Sequence, residues 1–185
     1  MKAYRIVGRG GQGVITAGKI LSQSILLSGE KSIMSEIHGL AQRGGGVVTD
    51  VKSGEAHSPT IREGTADFII SMDRNEAMWN LKILKKNGLC ITVSDVKEEL
   101  GESSINGIKC IEINPELIHE NVNKRSYNIF ILGILCALED FPEKDNVLKA
   151  IDENFSEKVA AINREVFNMA YSFAMENIKA EKTEK

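Results

Sequence analysis

A glycine-rich turn between a strand-like run and a helical run constrains the fold of this chain more than any other feature. The run Tyr4-Arg5-Ile6-Val7 is rich in β-forming residues, and Gly8-Arg9-Gly10-Gly11-Gln12-Gly13 follows it directly. Apolar residues then recur at helical spacing from Val14 to Ile25, and Gly29 stands where a helix C-terminal cap is expected. This order predicts a strand, a tight turn and a helix that packs on the same sheet.

A second strand over Lys31 to Glu36 completes a β-α-β unit, whose crossover implies a parallel pair of strands. Further strands are predicted over residues 47–52, 68–71, 89–93 and 108–113, and helices over 75–86, after Pro115, Ser126 and Pro142, and over 159–174. We therefore predict an α/β fold: a single Rossmann-like domain with a mostly parallel sheet, a glycine-rich first βα turn and a C-terminal helical half. The domain is expected over residues 1–178, and the charged residues 179–185 are expected to form a frayed tail.

Length and composition limit the classes of function. With 185 residues, the chain is long enough for one domain with its own core. Its 23 basic and 26 acidic residues give a net charge of −3, and the absence of a basic stripe argues against nucleic-acid binding. Cys90, Cys110 and Cys136 lie too far apart in sequence for an iron–sulfur cluster or a zinc site, so we predict no metal site in this chain. No targeting segment or membrane span is predicted, and the odd number of cysteines is typical of the cytoplasm.

The first glycine motif suits an anionic ligand. Glycines let main-chain N–H groups approach a phosphate at the amino end of a helix, where the helix dipole favours negative charge. The candidate cofactor-binding or cleft-lining residues of this motif are Gly8, Gly10, Gly11, Gln12 and Gly13. Glu36 lies about twenty residues further on, where a dinucleotide-binding fold places its ribose-binding acid. The sequence leaves open a purely structural role, in which these glycines only let the helix pack closely.

A second pattern, Gly13-x-x-x-x-Gly18-Lys19, has the outline of a nucleoside-triphosphate-binding P-loop. The next residue is Ile20, where a P-loop needs a serine or threonine hydroxyl for Mg²⁺. Gly18 and Lys19 also fall within the predicted helix, so no loop remains to surround a phosphate. We reject a P-loop nucleoside triphosphatase on these grounds.

A second glycine cluster follows the second predicted strand. It contains Glu36-Ile37-His38-Gly39 and then Gln42-Arg43-Gly44-Gly45. Ligands of open α/β sheets bind beyond the carboxyl ends of the strands, where this segment is expected. Arg43 offers a permanent charge with a planar fork for a carboxylate or phosphate, and the neighbouring glycines expose main-chain N–H groups. We therefore predict that this segment lines a ligand site or an interface; the alternative is a glycine-rich turn with a solvated arginine.

The two motifs together resemble those of a known family. Gly8-x-Gly-Gly-Gln-Gly13-Val followed by Glu36-Ile-His-Gly39-x-x-Gln42-Arg43-Gly-Gly45 is similar to gamma-type subunits of 2-oxoacid:ferredoxin oxidoreductases. The His-Gly-x-x-Gln-Arg-Gly-Gly form, with Ser53-Gly54 and His57-Ser58-Pro59 downstream, most resembles the beta subunits of indolepyruvate ferredoxin oxidoreductases. The rest of the chain fits this family in length and helical character.

The resemblance implies a subunit of a larger enzyme. Such enzymes decarboxylate a 2-oxoacid on thiamine diphosphate, pass electrons through iron–sulfur clusters to ferredoxin and form an acyl-coenzyme A. This chain lacks the cysteines for clusters and a Gly-Asp-Gly…Asn-Asn motif for thiamine diphosphate and Mg²⁺. A larger partner subunit is therefore expected to hold these cofactors, with coenzyme A shared between the chains. The implied substrate is an aryl pyruvate such as indolepyruvate, and the isolated chain is expected to be inactive.

The resemblance also implies where the second glycine cluster lies in the complex. The residues expected to line the cleft between the subunits, with the first glycine motif, are Glu36, His38, Gln42, Arg43, Gly44 and Gly45. No catalytic step is assigned to any of them. Trp79, beside the apolar stripe of the predicted helix 75–86, is expected to be partly buried or to form a subunit contact.

Two alternatives of other classes remain open. One is a free-standing NAD(P)- or flavin-binding oxidoreductase, which explains the first motif and Glu36 but gives no reason for Gln42-Arg43-Gly44-Gly45. The other is a non-catalytic scaffold whose glycines are only structural. Self-association of the isolated chain into a homodimer, through the surface meant for its partner, also remains open.

Overall fold

The computed structural model describes residues 1–38, 45–95, 98, 100–105, 108–119, 122 and 124–179. Within these residues the chain forms one seven-stranded sheet with helices on both faces. The strands are β1 (Ala3–Arg9), β2 (Ser32–His38), β3 (Gly46–Ser53), β4 (Ala66–Ser71), β5 (Leu84–Val93), β6 (Leu100–Ile105) and β7 (Ile108–Ile113). The helices are α1 (Val14–Leu27), α2 (Arg74–Asn80), α3 (Pro115–Ile118), α4 (Tyr127–Glu139), α5 (Lys144–Asn154) and α6 (Glu157–Ala174).

The order of the strands in the sheet is β2-β3-β1-β4-β5-β7-β6. β1, β4, β5 and β7 are successive parallel neighbours. β3 is antiparallel to both β1 and β2, and β6 is antiparallel to β7. Strand β2 therefore runs in the same direction as β1, and only β3 and β6 of the described strands oppose the majority. The predicted α/β class with a mostly parallel sheet and a C-terminal helical half is confirmed.

One predicted strand pairing is wrong. β2 does not pair with β1, because β3 lies between them: Glu36 is opposite Thr49, and Thr49 is opposite Ile6. The crossover through α1 predicted the direction of β2 correctly. The segment Gly46–Ser53 then returns antiparallel to β2, as a short connection allows, and takes the position beside β1.

Alternation along the strands builds a hydrophobic layer on each face of the sheet. The layer beneath α1, α4, α5 and α6 includes Ile6, Ile70, Ile91 and Ile111. The layer on the opposite face, which α2 covers through Ala77, includes Val7, Ile69, Cys90 and Cys110. Full burial of each such aliphatic side chain contributes about 2 kcal/mol of transfer free energy. This packing holds the carboxyl ends of β1, β4, β5 and β7 at a common edge.

The helix predicted over residues 75–86 is too long. α2 ends at Asn80, a 3₁₀ turn covers Leu81–Ile83, and β5 begins at Leu84. Leu84 pairs with Ala66 of β4, and Asn87 has a φ of 70°, which does not continue a right-handed helix. Leu84, whose spacing also suits a last helical turn, is therefore a strand residue.

The apolar residues of the last helix, α6, are divided between the core and the surface. Ala160, Val166 and Phe167 of α6 are buried, whereas Val159 and Ile162 are exposed. Trp79 of α2 is 68% exposed, so it belongs to the surface and not to the core. The predicted frayed tail falls almost wholly on residues 180–185, which lie outside the described residues.

Candidate functional site

A cleft of about 520 Å³ opens at the carboxyl edge of the parallel strands. Its walls come from the segments that leave β1, β4, β5 and β7, as is usual for ligand sites of open α/β sheets. The charged and aromatic lining residues are Arg9, Asp73, Arg74, Asp95, Glu116, Lys124 and Tyr127, and the uncharged polar ones are Gln12, Asn75, Ser94 and Asn114. The cleft thus carries both signs of charge in close proximity.

The first glycine motif forms a loop that is held in place by hydrogen bonds within the motif and to neighbouring segments. Gln12 Oε1 accepts the main-chain N–H of Arg9 at 2.6 Å, and Gln12 Nε2 donates to the carbonyl of Met72, just after β4, at 3.1 Å. The N–H of Gly10 donates to the carbonyl of Gly45 at 3.1 Å. The structure therefore brings the first glycine motif into contact with the end of the second.

The amino end of α1 is packed against α4. Gly13 caps α1 with a φ of 75°. Asn128, in the first turn of α4, is 5% exposed and donates through Nδ2 to the Gly13 carbonyl at 3.4 Å. Asn128 Oδ1 has no hydrogen-bond partner in the described part of the chain. The sequence left two roles open for these glycines, close helix packing and anion binding. The contacts of Gly13 with Asn128 support close packing as one of them.

Arg9 and Asp73 join two strand ends across the cleft. Arg9 Nε lies 3.0 Å from Asp73 Oδ2. Asp73 Oδ1 caps α2 by accepting the N–H groups of Asn75 at 3.0 Å and Glu76 at 3.2 Å. One aspartate therefore fixes both the start of α2 and the guanidinium of Arg9.

Arg74 is held over the ends of β5 and β7 by a carboxylate. Its Nε donates to Glu112 Oε2 at 2.8 Å and its Nη2 to Glu112 Oε1 at 3.3 Å, while Ser94 Oγ donates to Oε2 at 3.0 Å. Hydrogen bonding to Glu112 raises the pKa of Arg74, so its charge is permanent. Glu112 is buried and Arg74 is partly exposed, which leaves the outer side of the guanidinium toward the cleft.

Tyr127 closes the far wall of the cleft. Its hydroxyl donates to Glu116 Oε1 at 2.7 Å. Burial, together with this hydrogen bond, raises the pKa of the Tyr127 phenol, so it remains a donor at neutral pH. The pair joins the one-turn helix α3 to the start of α4.

The other residues predicted for the site occupy different places. Glu36 lies in β2 with β3 between it and β1, so two strand spacings, about 10 Å, separate it from the strand that leads into the glycine loop. A ribose-binding acid of a dinucleotide fold follows the strand next to β1, so this geometry does not favour the nucleotide-binding alternative. The backbone of His38 ends β2 opposite Val47, and Gly45 contacts Gly10. Gln42, Arg43 and Gly44 lie outside the described residues.

Among the described residues, no group of three or more histidine, cysteine, aspartate or glutamate side chains is arranged to hold a metal ion. None of the helices in the described part of the chain is both long and apolar enough to cross a membrane.

The fold and the cleft define the class: an α/β domain of Rossmann type with a polar cleft at the carboxyl edge of its parallel strands. A family model described as pyruvate ferredoxin/flavodoxin oxidoreductase matches residues 3–173. The chain belongs to this family, and the predicted resemblance to its gamma-type subunits is confirmed. At this level, the predicted function as a subunit of a 2-oxoacid:ferredoxin oxidoreductase is confirmed as well.

Individual relatives agree with this family. Indolepyruvate oxidoreductase subunit IorB of Pyrococcus horikoshii is 31% identical over 95% of this chain and 98% of its own length. The gamma subunit of a keto/oxoacid ferredoxin oxidoreductase from Geobacter sulfurreducens has a TM-score of 0.77 at 23% identity, over 95% of this chain and 99% of its own. A 2-oxoglutarate:ferredoxin oxidoreductase from Magnetococcus marinus, with 2-oxoglutarate, coenzyme A and succinyl-CoA bound, has a TM-score of 0.76 at 18% identity, over 94% of this chain and 31% of its own.

Several residues of the cleft were missed by the sequence analysis. Those that line it are Asp73, Arg74, Ser94, Asn114, Glu116 and Tyr127, and Glu112 lies beside it and holds Arg74. Most of them directly follow or end β4, β5 and β7, so the rule that ligands bind beyond the carboxyl ends of parallel strands would have selected them.

Proposed function

We propose that this chain is the small subunit of a thiamine-diphosphate-dependent 2-oxoacid:ferredoxin oxidoreductase that forms acyl-coenzyme A from an aryl pyruvate such as indolepyruvate. Its carboxyl edge forms one wall of the active-site cleft between subunits. The observation that carries the proposal is the hydrogen bond from Gly10 to Gly45, which joins both family motifs at the edge where the polar cleft opens.

The substrate class is supported by the relatives. The relative from Pyrococcus horikoshii is named an indolepyruvate oxidoreductase subunit, and it matches 95% of this chain. The form of the second motif in this sequence, His38-Gly39-x-x-Gln42-Arg43-Gly-Gly45, agrees with the same branch of the family. In the complex, the residues of this segment that line the cleft are Glu36, His38, Gln42 and Arg43.

The described residues of this chain do not fit thiamine diphosphate or an iron–sulfur cluster. Two of the three cationic side chains that line the cleft are engaged by carboxylates, Arg9 by Asp73 and Arg74 by Glu112. The three cysteines are buried in the core, with Cys90 and Cys110 opposite each other on β5 and β7, and among the described residues none belongs to a group arranged to hold a metal ion. Thiamine diphosphate, Mg²⁺ and the clusters therefore belong to the larger partner subunit, which also delivers electrons to ferredoxin.

Coenzyme A is the ligand that this chain shares with its partner. The cleft combines donors, acceptors and both charges, which suits a long polar ligand that contacts two chains. The Magnetococcus marinus enzyme carries coenzyme A in its structure. Within this proposal the glycine loop and Arg43 contact the coenzyme A side of the cleft.

An anaerobic pull-down of the tagged chain from its native lysate tests the proposal. We expect a larger chain to co-elute in equal amount, with thiamine diphosphate and iron–sulfur clusters, and the complex to reduce ferredoxin with an aryl pyruvate and coenzyme A. A chain that elutes alone, or that carries NAD or a flavin, would favour the free-standing nucleotide-binding oxidoreductase instead. A complex that prefers pyruvate or a branched-chain 2-oxoacid would refute the substrate class only.

A further inference from the structure

Glu76 is a nearly buried carboxylate in the first turn of α2. The residue is 6% exposed. Its main-chain N–H donates to Asp73, and its carbonyl accepts from Asn80. Within the described part of the chain no donor reaches its side-chain oxygens. A carboxylate with so little exposure and no donor in the described part of the chain is incompletely solvated, which raises the free energy of its charged form.

The carboxylate lies at the same edge as the cleft. Glu76 Oε2 would be 2.7 Å from a Cβ atom on Gly46, the first residue of β3, so glycine at this position leaves the space that the carboxylate occupies. Gly46 pairs with Arg9, the last residue of β1. A glutamate at this position of a helix commonly accepts the N–H of the capping residue, but the Asp73 N–H donates to Ser71 instead.

The described cationic side chains near Glu76 are engaged by other carboxylates and do not pair with the Glu76 carboxylate. Burial, followed by the charge of Asp73, raises the pKa of Glu76, and Arg9 acts in the opposite direction. The Arg9 guanidinium is engaged by Asp73, however. Arg5 of β1 donates to Asn80, one turn further along α2, at 3.4 Å. It is engaged by Asp50 through two hydrogen bonds of 2.8 Å. On the β3 side, Gly46 carries no charge.

A second feature of α2 distinguishes this surface. Trp79 follows Glu76 by three residues, so the two positions neighbour each other along the helix. Its side chain is 68% exposed, although tryptophan is among the residues most enriched at the centres of protein interfaces. An exposed aromatic side chain beside a carboxylate of little exposure suits coverage by a protein partner.

We propose that Glu76 accepts a cationic side chain of the larger partner subunit when the complex assembles, with Trp79 as the neighbouring apolar contact. The proposal rests on the proposed function, which supplies the partner. A 2-oxoacid, coenzyme A and thiamine diphosphate are all anionic, so a carboxylate repels them and attracts lysine or arginine. These two side chains also carry their charge on a long stem that can reach a site with so little exposure.

Proton release on assembly tests the proposal directly. The isolated chain keeps a proton on Glu76 over part of the acid range, and pairing with a cation releases it. Calorimetric titration of the chain with its purified partner subunit, in two buffers of different ionisation enthalpy at one pH, counts the protons released. We expect Glu76→Gln to lower that number and to weaken assembly at least about tenfold. The matched control is Glu63→Gln, an exposed glutamate paired with Lys82, which should change neither quantity.

The outcomes separate this inference from the proposed function. Equal proton release and equal affinity for the wild-type chain and Glu76→Gln would overturn the inference and leave the complex intact. Failure of the wild-type chain to bind any larger subunit would overturn the proposed function, and the inference with it. Thermal unfolding of both glutamine variants checks that they fold.

A second measurement distinguishes a donor in the partner from one in this chain. Residues 39–44 lie outside the described residues, and Arg43 is a cation among them. Carbon-13 NMR of the glutamate carboxyl groups follows the titration of Glu76 in the isolated chain. We expect Arg43→Ala to leave that titration unchanged. A higher pKa of Glu76 in Arg43→Ala would assign the donor to this chain and overturn the inference.

Discussion

The side-chain amide of Asn128 lies where a side chain on Gly13 would begin. A Cβ atom added to Gly13 would be 2.5 Å from Asn128 Nδ2, and the same nitrogen donates to the Gly13 carbonyl. The start of α1 and the first turn of α4 are therefore packed as one unit beneath the glycine loop. The last glycine of the first motif is required by this close approach as well as by its positive φ.

The first prediction concerns Gly13. Gly13→Ala should lower the free energy of unfolding by about 2–4 kcal/mol, because the positive φ costs about 1 kcal/mol and the clash with Asn128 adds a further 1–3. Urea denaturation of the isolated chain measures the loss. The matched control is Gly11→Ala, where φ is 91° but no atom of the described residues lies within 4 Å of the added Cβ. This substitution should cost only about 1 kcal/mol. Asn128→Ala should recover part of the loss; equal losses for the two glycines would contradict this account.

Local sequence patterns predicted most helices and strands of the fold. The pairing of the strands depends on contacts between distant residues, which local patterns do not contain. The β1–α1 unit follows from glycine placement and apolar spacing alone. The position of β3 between β1 and β2 does not, because either β2 or β3 fits beside β1 by hydrophobicity. Leu84 shows the same limit: its spacing suits a helix after Leu81, and only its pairing with Ala66 makes it a strand residue. β6 was missed because Gly101-Glu102-Ser103-Ser104 carries no apolar run.

The sequence predicted the glycine motifs of the candidate site but not its charged side chains, because these come from strands that are distant in sequence. Glycines are visible in a sequence as a motif, so the two motifs that contain Gly10 and Gly45 can be recognised without knowledge of their contact. Arg74 and Glu112 are 38 residues apart, and nothing in their local sequence indicates that they meet. Side chains that form a site from separate strand ends are brought together by the sheet order, which was the least predictable part of the fold.

The second prediction concerns the Arg74–Glu112 pair. Arg74→Ala removes two donors from the buried carboxylate of Glu112, so we expect a loss of about 1–2 kcal/mol of stability, reduced because Arg74 is partly exposed. Arg74→Lys should be intermediate, since lysine cannot donate two parallel hydrogen bonds. A double-mutant cycle with Glu112→Gln measures the coupling by urea denaturation. Strictly additive losses would show that the pair contributes no coupling.

The third prediction is a pH dependence set by Glu76. Burial and Asp73 raise its pKa in the folded chain, so between the unfolded and folded pKa values the folded state binds more protons. Stability from this group is therefore fully present below the unfolded pKa, about 4.3, and is lost as pH rises through the folded pKa. Glu76→Gln should make the isolated chain more stable at neutral pH, by roughly 1 kcal/mol, and the gain should disappear below about pH 4.3.

Unfolding by urea at several pH values measures the effect of Glu76→Gln, with Glu63→Gln as the exposed control. A neutral-pH loss of stability in Glu76→Gln would mean that the charged carboxylate is already satisfied within the chain. If Glu76→Gln is more stable as an isolated chain and also assembles more weakly, Glu76 stabilises the complex and destabilises the free subunit.

The fourth prediction concerns Arg43. Arg43→Ala should leave folding of the isolated chain intact and lower the turnover of the assembled complex by about 100-fold or more, as the loss of a positioned charge does. Steady-state ferredoxin reduction by the reconstituted enzyme measures the loss, and circular dichroism of the free chain checks folding. Unchanged turnover would remove Arg43 from the cleft.

The fifth prediction concerns the face of α2. Trp79→Ala should change the free energy of unfolding of the isolated chain by less than about 0.5 kcal/mol, because the side chain is 68% exposed. The same substitution should weaken binding to the partner subunit at least about tenfold, as truncation of an aromatic interface residue does. Leu26→Ala is the matched control: Leu26 is 55% exposed, but it lies on α1, on the opposite face of the sheet. Equal binding by Trp79→Ala and the wild-type chain, or an equal loss in Leu26→Ala, would move the partner contact away from α2.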